Sequence, residues 1–218
     1  ADGLNVVTTL DDVIQSHAED GIKKGKADTG ADKVMCLMMN PKTGEILASA
    51  TTEGYDPNNA RVPLDPSEAA RLEKMSSEEK MEYWNKMWRN PIVSDTYEPG
   101  STFKLLTLSA ALEERKSSLG DSFYCSGSYN VDGTKLRCWS YADPHGDENL
   151  KQAVGNSCNP VFVRLAQKMG KERFYNYMDT FGISEKTNID FPGEANSLLQ
   201  KDPGPVELST MGYGQGVA

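Results

Sequence analysis

The order of the first two segments constrains the fold most. "TTLDDVIQSHAEDGIKKGK" (residues 8–26) carries apolar Val13, Ile14 and Ala18 among polar residues after a Thr-Leu-Asp start. That is the pattern of an amphipathic helix with polar capping at its amino end. "ADKVMCLMMNPKTGEILASATT" (31–52) follows at once, with two short apolar runs around "NPKTG", a turn between antiparallel strands. A helix running straight into a hairpin argues against regular βαβ alternation and predicts an α+β domain.

Residues 55–96 begin as a proline-containing irregular loop and continue as "DPSEAARLEKMSSEEKMEYWNKMWRN", helical in composition. "EPGSTFKLLTLSAALEE" then reads as a strong helix whose start is fixed by Pro99 and Gly100. "SFYCSGSYNVDGTKLRCWS" (122–140) reads as a hairpin with its turn at Asp132-Gly133. Residues 149–182 supply two or three helices, and the C-terminal stretch reads as loop.

With 32 acidic against 23 basic residues the formal charge is −9, which argues against a nucleic-acid or anionic-membrane surface. No apolar run approaches the roughly 20 residues that span a bilayer. The start lacks a signal-peptide pattern, so any targeting segment is expected outside this chain. Four cysteines (Cys36, Cys125, Cys138 and Cys158) are too few for a disulfide scaffold, and no CxxC or His-flanked spacing suggests zinc. Cys36 reads as a buried small hydrophobe.

Chemistry enters at Ser101-Thr-Phe-Lys104. A helix starting at Ser101 puts Lys104 one turn later on nearly the same face. The serine then sits where free backbone N–H groups favour developing negative charge. An amine flanked by Phe103, Leu105 and Leu106 is expected to be desolvated, which lowers its pKa toward that of a general base. Read alone, the stretch suits a capped helix with a solvated lysine equally well. "SEEK" (77–80) matches the same spacing but lacks apolar shielding and reads as a solvated helix face. In "GNSCNPVF", Ser157 and Asn159 offer a hydroxyl and an amide from a tight loop before a helix. N-capping is the competing reading there, and "SYN" (128–130) reads as turn polarity.

In joint order, "YEPGSTFK", "GNSCNPVF" and "GYGQG" resemble the transpeptidase domain of class B penicillin-binding proteins. "NPKTGEILA" and the "YCSG…CW" hairpin add to the match, which covers residues 3–218. The cysteine between Ser157 and Asn159 and the "CW" element resemble sporulation-associated members from Gram-positive bacteria. The resemblance implies a β-lactamase/transpeptidase-like α+β fold, an antiparallel sheet packed with helices, with residues 1–218 a partial transpeptidase domain and 55–96 an insertion before the catalytic helix. It implies that Ser101 is the acylated nucleophile, Lys104 its base, Ser157 a proton relay and Asn159 a substrate-holding amide, with the Ser101 N–H as half of an oxyanion hole. The family's third motif, Lys-Thr/Ser-Gly, is expected after Ser-x-Asn. The chain reaches Ala218 without it, so the chain by itself is expected to be an incomplete or inactive portion of an active enzyme. "KTG" at 42–44 precedes the serine and reads as turn chemistry.

By the same resemblance the reaction is D-Ala-D-Ala transpeptidation or carboxypeptidation. Its partners are peptidoglycan stem peptides, β-lactam antibiotics and other cell-wall synthesis proteins, with no nucleic acid, cofactor or metal. The site of action is the extracytoplasmic face of the bacterial membrane, reached through an N-terminal anchor outside this chain. A serine β-lactamase or β-lactam sensor, and a non-catalytic scaffold, are the alternatives. His17 reads as a helix surface residue. His145, with Asp143, Asp147 and Glu148 nearby, has the residue types to hold a metal, but reads first as loop polarity. Trp84, Trp88, Met75, Met81 and Met87 read as helix packing, with the lining of a partner groove as the alternative. Cys158 is either a buried free thiol or, under oxidising conditions, a partner of Cys138 in a disulfide that locks the loop in an unproductive form. Three pairings of the four cysteines exist, and the sequence does not choose among them.

Overall fold

A computed structural model describes residues 3–52 and 54–218. The chain divides into two compact units, Ala1–Asp95 and Thr96–Ala218.

In the first unit, helix α1 (Asp12–Thr29) starts at Asp11, whose carboxylate accepts from the N–H groups of Val13 and Ile14. It ends at Gly30 in the left-handed conformation. The cap is thus the aspartate of the expected Thr9-Leu10-Asp11 start. Strands β1 (Met35–Met39) and β2 (Ile46–Thr51) form the expected antiparallel hairpin. In its turn, the N–H groups of Lys42 and Gly44 bond to the side chain and the carbonyl of Asn40. Ala18 and Ile22 pack on Ala48 and Ala50, with Ile14, Val34 and Cys36 at the margin, so Cys36 is only half-buried. Three helices follow: α2 (Pro66–Glu73), α3 (Ser77–Trp88) and α4 (Pro91–Ser94). "SEEK" opens α3, where Ser76 and Glu79 cap each other and Lys80 donates to the Glu73 carbonyl. Trp84 and Trp88 stack, and their indole N–H groups bond to the carbonyls of Arg61 and Ala60.

In the second unit a 3-10 turn (Gly100–Phe103) leads into α5 (Lys104–Glu113). Four short strands follow: β3 (Ser122–Cys125), β4 (Ser128–Val131), β5 (Thr134–Arg137) and β6 (Gly146–Asn149). The Asp132-Gly133 turn joins β4 to β5, but β3 pairs antiparallel with β6, whose sequence carries no strand pattern. The described residues thus hold three two-stranded antiparallel sheets among helices, the expected α+β class. Helices α6 (Leu150–Gly155) and α7 (Asn159–Thr180) follow, α7 broken at Gly170. Helix α8 (Pro205–Met211) corrects the expectation of a loop-like C-terminal stretch. The core gathers α5, α7 and α8 around Ala110, Val161, Phe162, Leu165, Phe174 and Met211. Among the described residues no helix is long and apolar enough to cross a membrane.

Candidate active site

Ser101 lies in the 3-10 turn and Lys104 is the first residue of α5. In 3-10 geometry side chains at i and i+3 eclipse, so the Ser-x-x-Lys spacing stacks the amine directly on the hydroxyl. Lys104 Nζ lies 3.2 Å from Ser101 Oγ. Backbone N–H groups in the first turn have no partner within the helix, which leaves the Ser101 N–H available to a developing oxyanion.

Lys104 is 4% exposed, with Nζ 5.3 Å from the centre of the Phe162 ring, and its neighbours Phe103 and Leu106 are also buried. Leu105, expected to shield it, points to solvent instead. Nζ also contacts the Ser157 carbonyl (2.8 Å), Ser157 Oγ (2.9 Å) and Asn159 Oδ1 (2.7 Å). Two of these four neighbours, the carbonyl and the amide oxygen, only accept hydrogen bonds, whereas the two hydroxyls also donate. A neutral amine has two N–H donors and one lone pair, so it satisfies both acceptors and still takes a hydroxyl proton. Burial pushes the amine down to about 8, against an opposing pull from the thiols of Cys138 and Cys158 when ionised.

Ser157 and Asn159 reach this amine through a helix ending and a helix start. At the end of α6 the Cys158 N–H bonds to the Ala153 carbonyl and the Ser157 N–H to that of Val154, a Schellman motif. Ser157 holds the left-handed position (φ 50°) where glycine is usual. Its Oγ donates to Ser101 Oγ at 3.1 Å, closing a Ser101–Lys104–Ser157 triangle. Asn159 opens α7, and its Nδ2 donates to the Arg137 carbonyl at 3.1 Å. That bond fixes the amide's orientation, with Oδ1 toward the lysine. The structure therefore brings all four sequence-predicted residues together.

Sequence reasoning missed what holds the serine turn. "GYGQG" follows α8, and Gly214 accepts from the Gly100 N–H at 3.0 Å. Glu98 Oε1 accepts from the Gly216 N–H at 2.7 Å, and buried Thr107 Oγ1 donates to the Gly212 carbonyl at 2.9 Å. The glycine run was the available signal, since such spacing permits close backbone approach. His145 is not loop polarity: it is largely buried beside Cys138, Glu148 and Trp139, while Asp143 and Asp147 do not join it. All four cysteines are free thiols in this structure.

Comparison with known proteins identifies the family. Residues 34–218 match the penicillin binding protein transpeptidase domain model. Stage V sporulation protein D of Bacillus subtilis is 40% identical over the whole chain, which covers 31% of that protein. Penicillin-binding protein PbpB of Mycolicibacterium smegmatis is 31% identical over 91% of the chain and 28% of its own length. The chain thus spans less than a third of these relatives. Among solved structures, penicillin binding protein 3 from Mycobacterium tuberculosis complexed with aztreonam superposes with a TM-score of 0.78 at 28% identity, over 97% of this chain and 43% of that one. A peptidoglycan glycosyltransferase from Burkholderia ambifaria shares the fold, with a TM-score of 0.75 at 22% identity over 97% of this chain and 56% of that one. The chain belongs to the penicillin-binding transpeptidase domains of class B.

Proposed function

We propose that the full-length protein is a serine D,D-transpeptidase that cross-links peptidoglycan stem peptides through an acyl-enzyme at Ser101. The observation that carries this reading is the buried Lys104 amine, shared among Ser101 Oγ, Ser157 and Asn159 Oδ1 within 3.2 Å. Lys104 takes the Ser101 proton as Oγ bonds to the penultimate D-Ala carbonyl carbon. The Ser101 N–H receives the oxyanion. As the C–N bond to the terminal D-Ala breaks, Ser157 Oγ delivers a proton to the leaving amine and is reprotonated by Lys104. An amine from a neighbouring stem then attacks the ester, and the Ser101 hydroxyl is restored as it leaves. Water in place of that amine gives carboxypeptidase products. Asn159 holds the lysine through Oδ1 and lies beside the path of the substrate amide.

A β-lactam ring presents an amide carbonyl to the same nucleophile, so it acylates Ser101. On this reading the domain works outside the cytoplasmic membrane, where stem peptides are found, together with other wall-synthesis proteins. The test is labelling of the full-length protein with a fluorescent penicillin. Stable label on wild type and none on Ser101→Ala supports the acyl-enzyme. Rapid release of label indicates a β-lactamase, and no label on either indicates a scaffold.

A further inference from the structure

Cys125 ends β3, Cys138 follows β5, His145 precedes β6, and Cys158 caps α7. Four separate segments thus bring three thiols and an imidazole together with ligand atoms all within 4.8 Å of one another. The three cysteines are fully buried. Beside them, two buried polar atoms have no hydrogen-bond partner, His145 Nε2 and Glu148 Oε1. Buried polar atoms without partners are rare in folded proteins, and an unpartnered ring nitrogen beside three thiols is a ligand a cation would engage. Glu148 is otherwise held by Asn156 Nδ2 at 3.2 Å, with Oε2 at 4.0 Å from His145 Nδ1.

We propose that Cys125, Cys138, His145 and Cys158 form a closed structural site for a thiophilic divalent cation, zinc. Three thiolates and one imidazole are a common structural zinc set, with Zn–S near 2.3 Å and Zn–N near 2.0–2.1 Å. Tetrahedral geometry at those lengths puts ligand atoms roughly 3.8 Å apart or slightly less. The ligand atoms lie within 4.8 Å of one another, so closing the set requires shifts of about 1 Å. The soft thiolate donors favour zinc over magnesium or calcium. Glu148 is placed as the carboxylate that orients a ligating histidine. Each cysteine gives up its proton on binding, so loading releases protons.

The cation would tie together the backbone that presents Asn159. Cys158 lies between Ser157 and Asn159, and Cys138 follows Arg137, whose carbonyl receives the Asn159 amide at 3.1 Å. With four protein ligands there is no open position for substrate, so the cation's part is to hold the loop.

The test uses tag-free full-length protein, isolated anaerobically with reductant and without chelator. Elemental analysis is expected to give about one zinc per chain. Titration of the stripped protein with Co2+ is expected to give the ligand-field bands of tetrahedral cobalt and thiolate charge-transfer absorption, both bleached by Zn2+. Cys125→Ser and His145→Gln, both outside the Ser101 machinery, should each weaken Co2+ binding at least tenfold. Wild-type titration decides the matter alone if either variant fails to fold. Zinc below about a tenth of an equivalent with no tetrahedral cobalt spectrum overturns the site. So does a disulfide between any two of the three thiols in anaerobically isolated protein.

Discussion

The Gly100 N–H donates to the Gly214 carbonyl at 3.0 Å, and a Cβ on Gly214 would stand 2.0 Å from the Gly100 carbonyl oxygen. Gly214 also has φ +81°, where side chains are strained. No flexible group is available to yield, because the clash is with backbone. Gly214→Ala must therefore displace the turn that carries Ser101. Overpacking of this kind costs about 1–3 kcal/mol. We expect a lower melting temperature and a penicillin acylation rate down at least tenfold, measured on full-length protein by thermal melts and stopped-time labelling. An unchanged rate would show that Gly214 does not position the serine.

Lys104 sets a pH dependence. Its amine is held at about 8, so about one molecule in ten carries the neutral base at pH 7. The acylation rate should rise about tenfold per pH unit below that midpoint and level off above it. Lys104→Ala should lose this rise and about 100- to 10,000-fold in rate. The stability linkage has a defined sign. The folded pKa lies below the ordinary 10.5, so between about pH 8 and 10.5 the unfolded chain binds more protons and stability rises with pH. A flat rate profile from pH 6 to 9 would remove Lys104 as the base.

What could be read in the sequence was local. The apolar spacing of α1, the "NPKTG" turn and the Asp132-Gly133 turn are each decided by neighbouring residues, and each stands where the pattern puts it. The pairing of β3 with β6 was not legible because its partners are separated by a complete hairpin. Helix α8 was hidden by "DPGP", where Pro205 is not a loop residue but the first residue of a short helix. The Ser101, Lys104, Ser157 and Asn159 cluster was legible because two short motifs carry it. The fastening of Gly100 to Gly214, and the meeting of Cys125, Cys138, His145 and Cys158, depend on long-range packing that local spacing does not encode.

Ser157 combines a strained backbone with a functional hydroxyl. Its left-handed φ of 50° costs a non-glycine residue on the order of 1 kcal/mol or more. Ser157→Gly should relieve that strain, and Ser157→Ala should retain it. The glycine variant is expected to melt higher than the alanine variant, with both losing acylation because Lys104 and Ser101 lose their shared partner. If the two variants melt alike, the Schellman position is not strained.

Asn159 tests whether the lysine must be neutral. Its Oδ1 sits 2.7 Å from Lys104 Nζ, and its Nδ2 donates to the Arg137 carbonyl. Asn159→Asp keeps the oxygen beside the amine but makes it anionic, which favours the protonated lysine. It also sets a carboxylate oxygen against the Arg137 carbonyl, an acceptor facing an acceptor. The acylation midpoint should move above 8 and the rate at pH 7 should fall at least tenfold, with part of the loss recovered at pH 9. Asn159→Ala removes the same hydrogen bonds without adding charge, so its midpoint should stay near or below that of wild type. Opposite movement of the two midpoints isolates charge at the lysine from loss of contacts. Movement of both in one direction would mean that Asn159 acts through the loop and not through the amine.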